Sequence, residues 1–572
     1  MKREKYQVLR WLLSVLGSDR WKICWMTAIQ ALLGGSAVLS AWFLRGIIDG
    51  AVSGDSFIFR RYSAALLILL AAQLAQRALD RYLTESTRSS LENRFKGRLF
   101  SILLKKDYAA VTAAHSGEWM NRLTSDTAEA AEGLATILPK VSGMVVRLAG
   151  ALALMLRLMP QLVCVILPGG LLLVLLTYAF RRVLKRLHRE IREADGRLRV
   201  FLTEQLHGML VIRAFGMEEQ AEQGAQKKME EHRRARMRRN HFSNLCNVGF
   251  GFALSGAYAI GAVYCGYEIL IGTVSYGTFT AVLQLIGQIR SPFANITGYV
   301  PRYYAMLASA ERLMEAETFA EDCAEPQLTA EEIRTVYKTE FIGIGFFDAC
   351  FAYHDRNEEE AFEVLSGFRF NIRRGECVAF TGQSGCGKST VLKLLMCMYP
   401  LDAGDRYLET TGEFLTLTAK YRGLFAYVPQ GNQLLSGTIR EIIAFGDDRA
   451  MQDEEGLHKA LEISCADEFV DKLEAGLDTP LGEHGTGLSE GQMQRIAIAR
   501  AIFSEHPILL LDEATSSLDE DTEERLLANL RAMTDRTILI VTHRPAALKI
   551  CDRVVNFDNT GESDRKKGDV RS

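Results

Sequence analysis

The nine residues Gly382-Gln-Ser-Gly-Cys-Gly-Lys-Ser-Thr390 fit G-x-x-x-x-G-K-[ST], a spacing suited to holding phosphate. Gly382, Gly385 and Gly387, with Ser384 and Cys386 between them, let backbone N–H groups turn inward as an anion nest. Lys388 would hold the β- and γ-phosphates of a nucleotide, Ser389 would place its hydroxyl on Mg²⁺, and Thr390 completes the pattern. Downstream, the apolar run Ile508-Leu-Leu-Leu511 ends in Asp512-Glu513, two carboxylates at the tip of a buried strand. Asp512 would hold Mg²⁺ through water. Glu513 would activate water as general base, and its position beside the γ-phosphate matters more than its pKa. Leu488-Ser-Glu-Gly-Gln492 opens another helix, whose Ser489 hydroxyl, Gly491 amide and dipole also suit a γ-phosphate. A further apolar run, Ile538-Leu-Ile-Val-Thr542, ends at His543. The chemistry implied is phosphoryl transfer to water.

These residues need parallel strands and helices to carry them. Val378-Ala-Phe-Thr381 reads as a strand entering the glycine loop, and Val391–Met396 as the helix leaving it. From about Tyr337 onward, short β-like runs alternate with helices. The preceding half is different. Six stretches, about 22–48, 61–83, 138–158, 161–181, 246–271 and 278–300, are long and apolar enough to span a bilayer. Between the second and third, and between the fourth and fifth, lie long polar segments rich in Arg and Lys, which stay in the cytoplasm. Arg60 and Arg61, near the outer end of the second span, count weakly against that orientation. The N-terminus carries Lys2, Arg3 and Lys5 before a short apolar run and reads as an amphipathic helix on the membrane surface, with Trp11 and Trp21 near the headgroups. The net charge of −3 therefore averages an apolar half with a polar one. The eleven cysteines, without a C-x-x-C pair, argue against a disulfide framework or zinc site.

With these motifs in this order, the chain resembles an exporter-type half-transporter of the ABC transporter family over nearly its whole length. The resemblance implies a fold class: a helical polytopic membrane domain, six transmembrane helices with long cytosolic extensions, joined to an α/β P-loop ATPase domain of the ABC type. It implies that Tyr353 stacks on adenine, and that Gln430, in Tyr427-Val-Pro-Gln430, reaches Mg²⁺ and the attacking water. His543 looks like the switch histidine that contacts the γ-phosphate. Asp519, in Ser516-Ser-Leu-Asp519, resembles a loop that crosses between subunits. Ser489, Gly491 and Gln492 would face ATP held by a second ATPase domain, so a chain with one phosphate loop must pair. Asp478–Gly485 is similar to the cross-linking loop of exporter-type members. Ser116–Asp126 and Gln205–Gly216 resemble coupling turns, the second docking through Phe215. Glu490 stands where the family most often has Gly, and Asp402–Arg422 matches the family poorly.

The expected organisation is residues 1–20 as the surface helix, 21–315 as the membrane domain, 316–336 as a linker, 337–560 as the ATPase domain and 561–572 as a charged tail. The expected activity is ATP-driven efflux of a lipid, peptide or amphipathic molecule across the cytoplasmic membrane, with ATP and Mg²⁺ as cofactors. The partner would be a second half-transporter chain, identical or not; nucleic acid is not among the expected partners. Import of a siderophore or cofactor, and a non-transporting membrane ATPase or regulatory subunit, are the alternatives. Within the spans, Arg147 and Glu268 are ionisable, and Gln284, Gln288, Ser291 and Asn295 recur at helical spacing beside Pro292. Such residues either line a cavity or join helices by hydrogen bonds.

Overall fold

The computed structural model describes residues 2–559, apart from 115, 324, 354–361, 432–433, 448, 483–484 and 486; for residues 2–5 and much of 165–182, 250–257 and 290–297 it describes only the helical backbone. Two compact units emerge, one from residues up to 100 with 120–315, the other from 101–119 with the chain from 316 onward.

The first unit is helical. Its elements are α1 (Lys2–Leu16), α2 (Arg20–Val52), most of α3 (Ser56–Lys105), then, after α4 (Tyr108–Thr112) and α5 (Ser116–Asn121), α6 (Thr127–Leu158), α7 (Pro160–His207), α8 (Met209–Ala214), α9 (Glu218–Leu270) and α10 (Tyr276–Glu315). Five of the six expected spans fall inside one of these long helices, and the fifth, 246–271, runs one residue past the end of α9. Among the described residues, Tyr6–Val52, Ser56–Lys105 and Ser116–Leu158 are long and apolar enough to cross a membrane. Helices α2 and α6 meet at a glycine pair: a Cβ on Gly34 would lie 2.4 Å from the Gly143 carbonyl oxygen. Small residues allow that approach where no water drives association.

Two contacts bear on the expectations. The Trp11 ring stacks on Phe95 of α3 at 5.8 Å, and Val8, Leu12 and Val15 of the same helix are buried. The apolar stripe of α1 is thus covered by protein, whereas Trp21 stays 75% exposed. The glutamines of α10 join helices: Gln284 Nε2 donates to Ser40 Oγ at 3.0 Å and Gln288 Nε2 to the Ala37 carbonyl at 2.5 Å. The side chains of Ser291 and Asn295 lie outside the described residues. At the other end of α6, Asp126 accepts from Ser309 Oγ at 2.9 Å and Arg312 Nε at 2.8 Å, and Arg122 bonds Glu315 at 3.0 Å.

The second unit contains α11 (Ala330–Thr335), β1 (Phe341–Tyr353), β2 (Phe362–Arg373), β3 (Cys377–Thr381), α12 (Lys388–Leu395), β4 (Ala403–Thr410), β5 (Phe414–Thr416), β6 (Phe425–Val428), β7 (Gly437–Thr438), α13 (Ile439–Ile443), α14 (Glu454–Ile463), α15 (Asp467–Val470), β8 (Pro480–Leu481), α16 (Glu490–Phe503), β9 (Ile508–Asp512), α17 (Glu520–Ala532), β10 (Thr537–Val541), α18 (Pro545–Ile550) and β11 (Arg553–Asn556). Among the described residues a parallel sheet runs in the order β11-β3-β10-β9-β6, and an antiparallel sheet in the order β2-β1-β4-β5. Strands β9 and β10 are buried along their whole length, as their unbroken apolar runs require. The poorly matching stretch 402–422 supplies β4, β5 and a 3₁₀ turn at the outer edge of the antiparallel sheet.

Residues 316–336 are more than a tether. Thr329 and Glu332 form a capping box at α11, Ile333 is buried, and Asp322 pairs with Arg422 through two hydrogen bonds, one of 2.5 Å. The segment at 101–119 packs here too. Asp107 N–H donates to the Ala320 carbonyl at 2.9 Å, Asp322 N–H to that of Lys105 at 3.0 Å, and the Tyr108 ring meets Tyr399 edge-on. Helix α4 thus reaches Tyr399, just before the expected turn at 116–126, whose Trp119 ring meets Phe319 edge-on.

Candidate functional site

Parallel pairing puts the critical turns on one edge of the sheet. Val541 pairs with Phe380 on one side and Asp512 on the other, and Val428 pairs with Leu511. The chain therefore leaves β3 into Gly382, β6 towards Gln430, β9 into Glu513 and β10 into His543 at a common rim, where ligands of open α/β sheets bind.

The glycine loop wraps its own lysine. Lys388 is 5% exposed, and its ammonium donates to the carbonyls of Gly382 and Gln383, each at 2.7 Å, with Cys386 Sγ 3.6 Å away. Gly387 caps α12 at φ 98°, and a Cβ there would come within 2.6 Å of Val364 Cγ1. Only glycine fits that cradle. Gly385, also at positive φ, and Ser384 complete the loop; Gln383 N–H donates to Asp558 Oδ1 at 2.9 Å, which ties the loop to the chain's last described turn. A buried ammonium beside a helix start in a glycine-rich loop fits a polyphosphate.

The metal-type residues meet. Ser389 Oγ donates to Asp512 Oδ1 at 2.8 Å, and Tyr427 OH donates to Asp512 Oδ2 at 3.1 Å. Burial pushes the Asp512 carboxyl above its usual range, opposed by those two donors. The Tyr427 phenol is also pushed up, by burial first and then by the neighbouring carboxylate. Oxygen donors of this kind suit a hard divalent cation such as Mg²⁺, which takes few protein ligands and completes its shell with phosphate and water. Gln430 Nε2 donates to Glu513 Oε2 at 2.8 Å, so both members of the expected water-activating pair are in contact. Glu513 itself sits at φ 51°, a strained value for a residue with a side chain, held by its N–H donating to Val541 O at 3.0 Å. His543 is exposed, one residue beyond Thr542, whose N–H bonds the Phe380 carbonyl. Tyr353 OH lies 3.2 Å from Thr390 Oγ1, so its ring flanks the start of α12.

A second group forms elsewhere. Ser489 and Gln492 close a capping box on α16, and a Cβ on Gly491 would meet the Ser517 carbonyl at 2.7 Å. Asp519 caps α17 through the Thr522 N–H at 3.0 Å, which holds its carboxyl below the usual range. Among the described residues no hydrogen bond links Ser489, Gly491, Gln492 or Asp519 to the phosphate loop. The expected constellation is split in two, each part internally satisfied. Residues 483, 484 and 486, in and beside the expected cross-linking loop, lie outside the described residues.

Sequence reading missed the supports. Tyr427 was visible only as a neighbour of Gln430. Gln494 is 3% exposed and holds Ser517 N–H at 3.0 Å and Ser516 Oγ at 3.0 Å. Arg544, next to His543, bonds the Leu518 carbonyl and Glu523, each at 2.9 Å.

Fold and site together define a P-loop nucleotide hydrolase fused to a helical membrane domain. The family of ABC transporter transmembrane regions matches residues 23–293, and the ABC transporter family matches 365–516. A relative described as ATP-dependent lipid A-core flippase from Bordetella avium is 28% identical over 568 residues, spanning 97% of this chain and 92% of its own length. ATP-binding cassette sub-family B member 10, mitochondrial, from Mus musculus is 28% identical over 96% of this chain and 76% of its own. A solved structure of a bacterial Atm1-family ABC exporter with ATP bound shares the fold, with a TM-score of 0.77 at 22% identity over 94% of this chain and 93% of that one. The chain belongs to the ABC transporter family and carries its membrane and ATP-binding halves in one polypeptide. It is a multi-pass membrane protein that couples ATP hydrolysis to transport.

Proposed function

We propose that this chain exports a lipid or amphipathic molecule across the cytoplasmic membrane as a dimer, each ATP lying between the phosphate loop of one chain and the Ser489 motif of the other. The observation that carries this reading is the split constellation. Lys388, Ser389, Asp512, Gln430 and Glu513 converge on one rim, while exposed Ser489 and Asp519, with half-buried Gly491, form a separate group. One chain then supplies half of each of two sites. The second apolar turn fits the same arrangement: Leu210 and Phe215, on and beside α8, are 82% and 76% exposed and would dock on the second chain.

In the assembled site, Lys388 neutralises phosphate charge, and Glu513, oriented by Gln430, takes the proton of the attacking water. His543 would hold the γ-phosphate from the β10 side. Ser389, Asp512 and Gln430 would hold Mg²⁺, which when bound neutralises charge on the β- and γ-phosphates. Catalysis here is mainly positioning.

The cargo class rests on relatives named as lipid A-core flippases and on α6. Arg147 lies mid-helix with its Nε buried and unpartnered, a group suited to an anionic headgroup. The test is ATP turnover and mass of the purified chain in lipid beside Glu513→Gln. A dimer whose turnover falls by ~10²–10⁴-fold on that substitution, the usual worth of a general base, is expected. A monomer without turnover, or an unaffected variant, would overturn the reading.

A further inference from the structure

Three aromatic rings connect the phosphate-loop helix to the chain segment at α4. The Tyr353 and Tyr399 centroids are 5.5 Å apart with planes at 86°, and those of Tyr399 and Tyr108 are 5.6 Å apart at 87°. Phe351, 4% exposed, packs on both Tyr353 and Tyr399, at 4.9 and 5.6 Å. Tyr399 is itself fixed from two sides. Arg406 Nη1 donates to its carbonyl at 2.8 Å and to the Leu394 carbonyl at 3.1 Å, which clamps it to the end of α12; the Tyr108 ring of α4 packs on its other side. Tyr353 is anchored at the other end by Thr390.

We propose that Tyr399 is a positioning residue that sets the plane of Tyr353 for the adenine base and couples it to Tyr108 on α4. This rests on the reading of Tyr353 as the adenine-stacking ring. Edge-to-face pairs in a packed cluster have few alternative arrangements, so turning one ring displaces the next. Base binding and the placement of α4 then share one equilibrium, and by reciprocity each biases the other. The route is separate from Gln430, which addresses the phosphate end.

The experiment uses the full chain in phosphatidylethanolamine–phosphatidylglycerol vesicles. For Tyr399→Leu, Tyr399→Phe, Tyr108→Leu and Tyr353→Leu it measures kcat and KM for ATP, and the inhibition constant of inorganic tripolyphosphate, which lacks a base. Tyr399→Leu should raise KM for ATP about 2- to 10-fold, the worth of one aromatic pair. Its kcat at saturating ATP and its tripolyphosphate constant should not move, and Tyr399→Phe should restore KM. Tyr108 is 39% exposed, so Tyr108→Leu is the variant that spares the fold, and it should shift KM in the same direction. If KM and the tripolyphosphate constant rise together, Tyr399 only supports the phosphate loop and the proposal fails. An unchanged KM in Tyr399→Leu or Tyr108→Leu, with Tyr353→Leu impaired, overturns the coupling alone. An unchanged KM in Tyr353→Leu overturns the adenine reading beneath it.

Discussion

Tyr427→Phe isolates one hydrogen bond to the metal-type carboxylate without changing ring volume. The Tyr427 hydroxyl reaches Asp512 Oδ2 at 3.1 Å, while Ser389 reaches Oδ1 at 2.8 Å. A hydrogen bond to a charged group contributes about 1.5–3 kcal/mol, and at 3.1 Å the lower end applies. Losing ~1.5 kcal/mol of carboxylate stabilisation makes Asp512 bind its proton about tenfold more tightly. Burial already holds this carboxyl above the usual 3.8, so the folded domain binds that proton better than the unfolded chain does. Its contribution to stability therefore falls as pH rises from 3.8 to the Asp512 value, and the substitution extends that window upward. Mg²⁺ needs the ionised form and moves the other way, gaining affinity as pH rises. In a titration of ATP turnover against free Mg²⁺ between about pH 5 and 8, the variant should require up to about tenfold more Mg²⁺ at the acid end. The requirement should approach that of the parent at the alkaline end, with kcat at saturating Mg²⁺ nearly unchanged. An unmoved Mg²⁺ requirement at every pH, or a loss of kcat alone, would refute Asp512 as the metal carboxylate that Tyr427 tunes.

Asp126→Ala should loosen the end of α10. It removes the buried carboxylate that Ser309 and Arg312 share, at a cost of about 2–3 kcal/mol once the half-exposed Arg312 is discounted. Amide exchange across residues 305–315 should then quicken by about 30- to 150-fold. Cys386 should react with a maleimide more slowly in the presence of Mg-ATP, by about 100-fold at 100 times Kd, as read by mass spectrometry of that peptide. Equal labelling with and without ATP would place the nucleotide elsewhere.

The grouping of the phosphate-loop and strand-end residues on one rim was legible because their demands are local. A glycine at φ 98° before a buried lysine, and a carboxylate pair after four buried apolar strand residues, each leave a short unbroken pattern. The contacts between distant segments were not legible. The partner of Trp11 was hidden because an amphipathic helix reads alike whether lipid or protein covers it, and Phe95 of α3 lies 84 positions on. The stretch 316–336 read as a linker because it is polar, yet its Asp322 pairs with an arginine 100 residues away. The contact made just before the expected first coupling turn was not legible either, since nothing in Tyr108-Ala-Ala-Val-Thr112 announces a ring waiting at Tyr399. In each case the partner lies far off in sequence, where periodicity carries no information.

The capping box on α16 explains how an exposed helix start can be rigid and still open to an anion. Ser489 Oγ accepts the Gln492 N–H at 3.3 Å, and Gln492 Oε1 accepts the Ser489 N–H at 2.8 Å. The hydroxyl acts there as acceptor, so its own proton remains to donate. The cap also engages the Gln492 amide and not that of Gly491, the group expected to face phosphate. Beneath it, Gln494 fixes the Ser516–Ser517 turn, and Arg544 bridges Leu518 and Glu523. That frame holds the proposed second half-site in shape before any phosphate arrives, so little ordering remains to oppose binding. Arg544 is next to His543 and bonds the Leu518 carbonyl, so the same frame ties the end of β10 to the turn that carries Asp519.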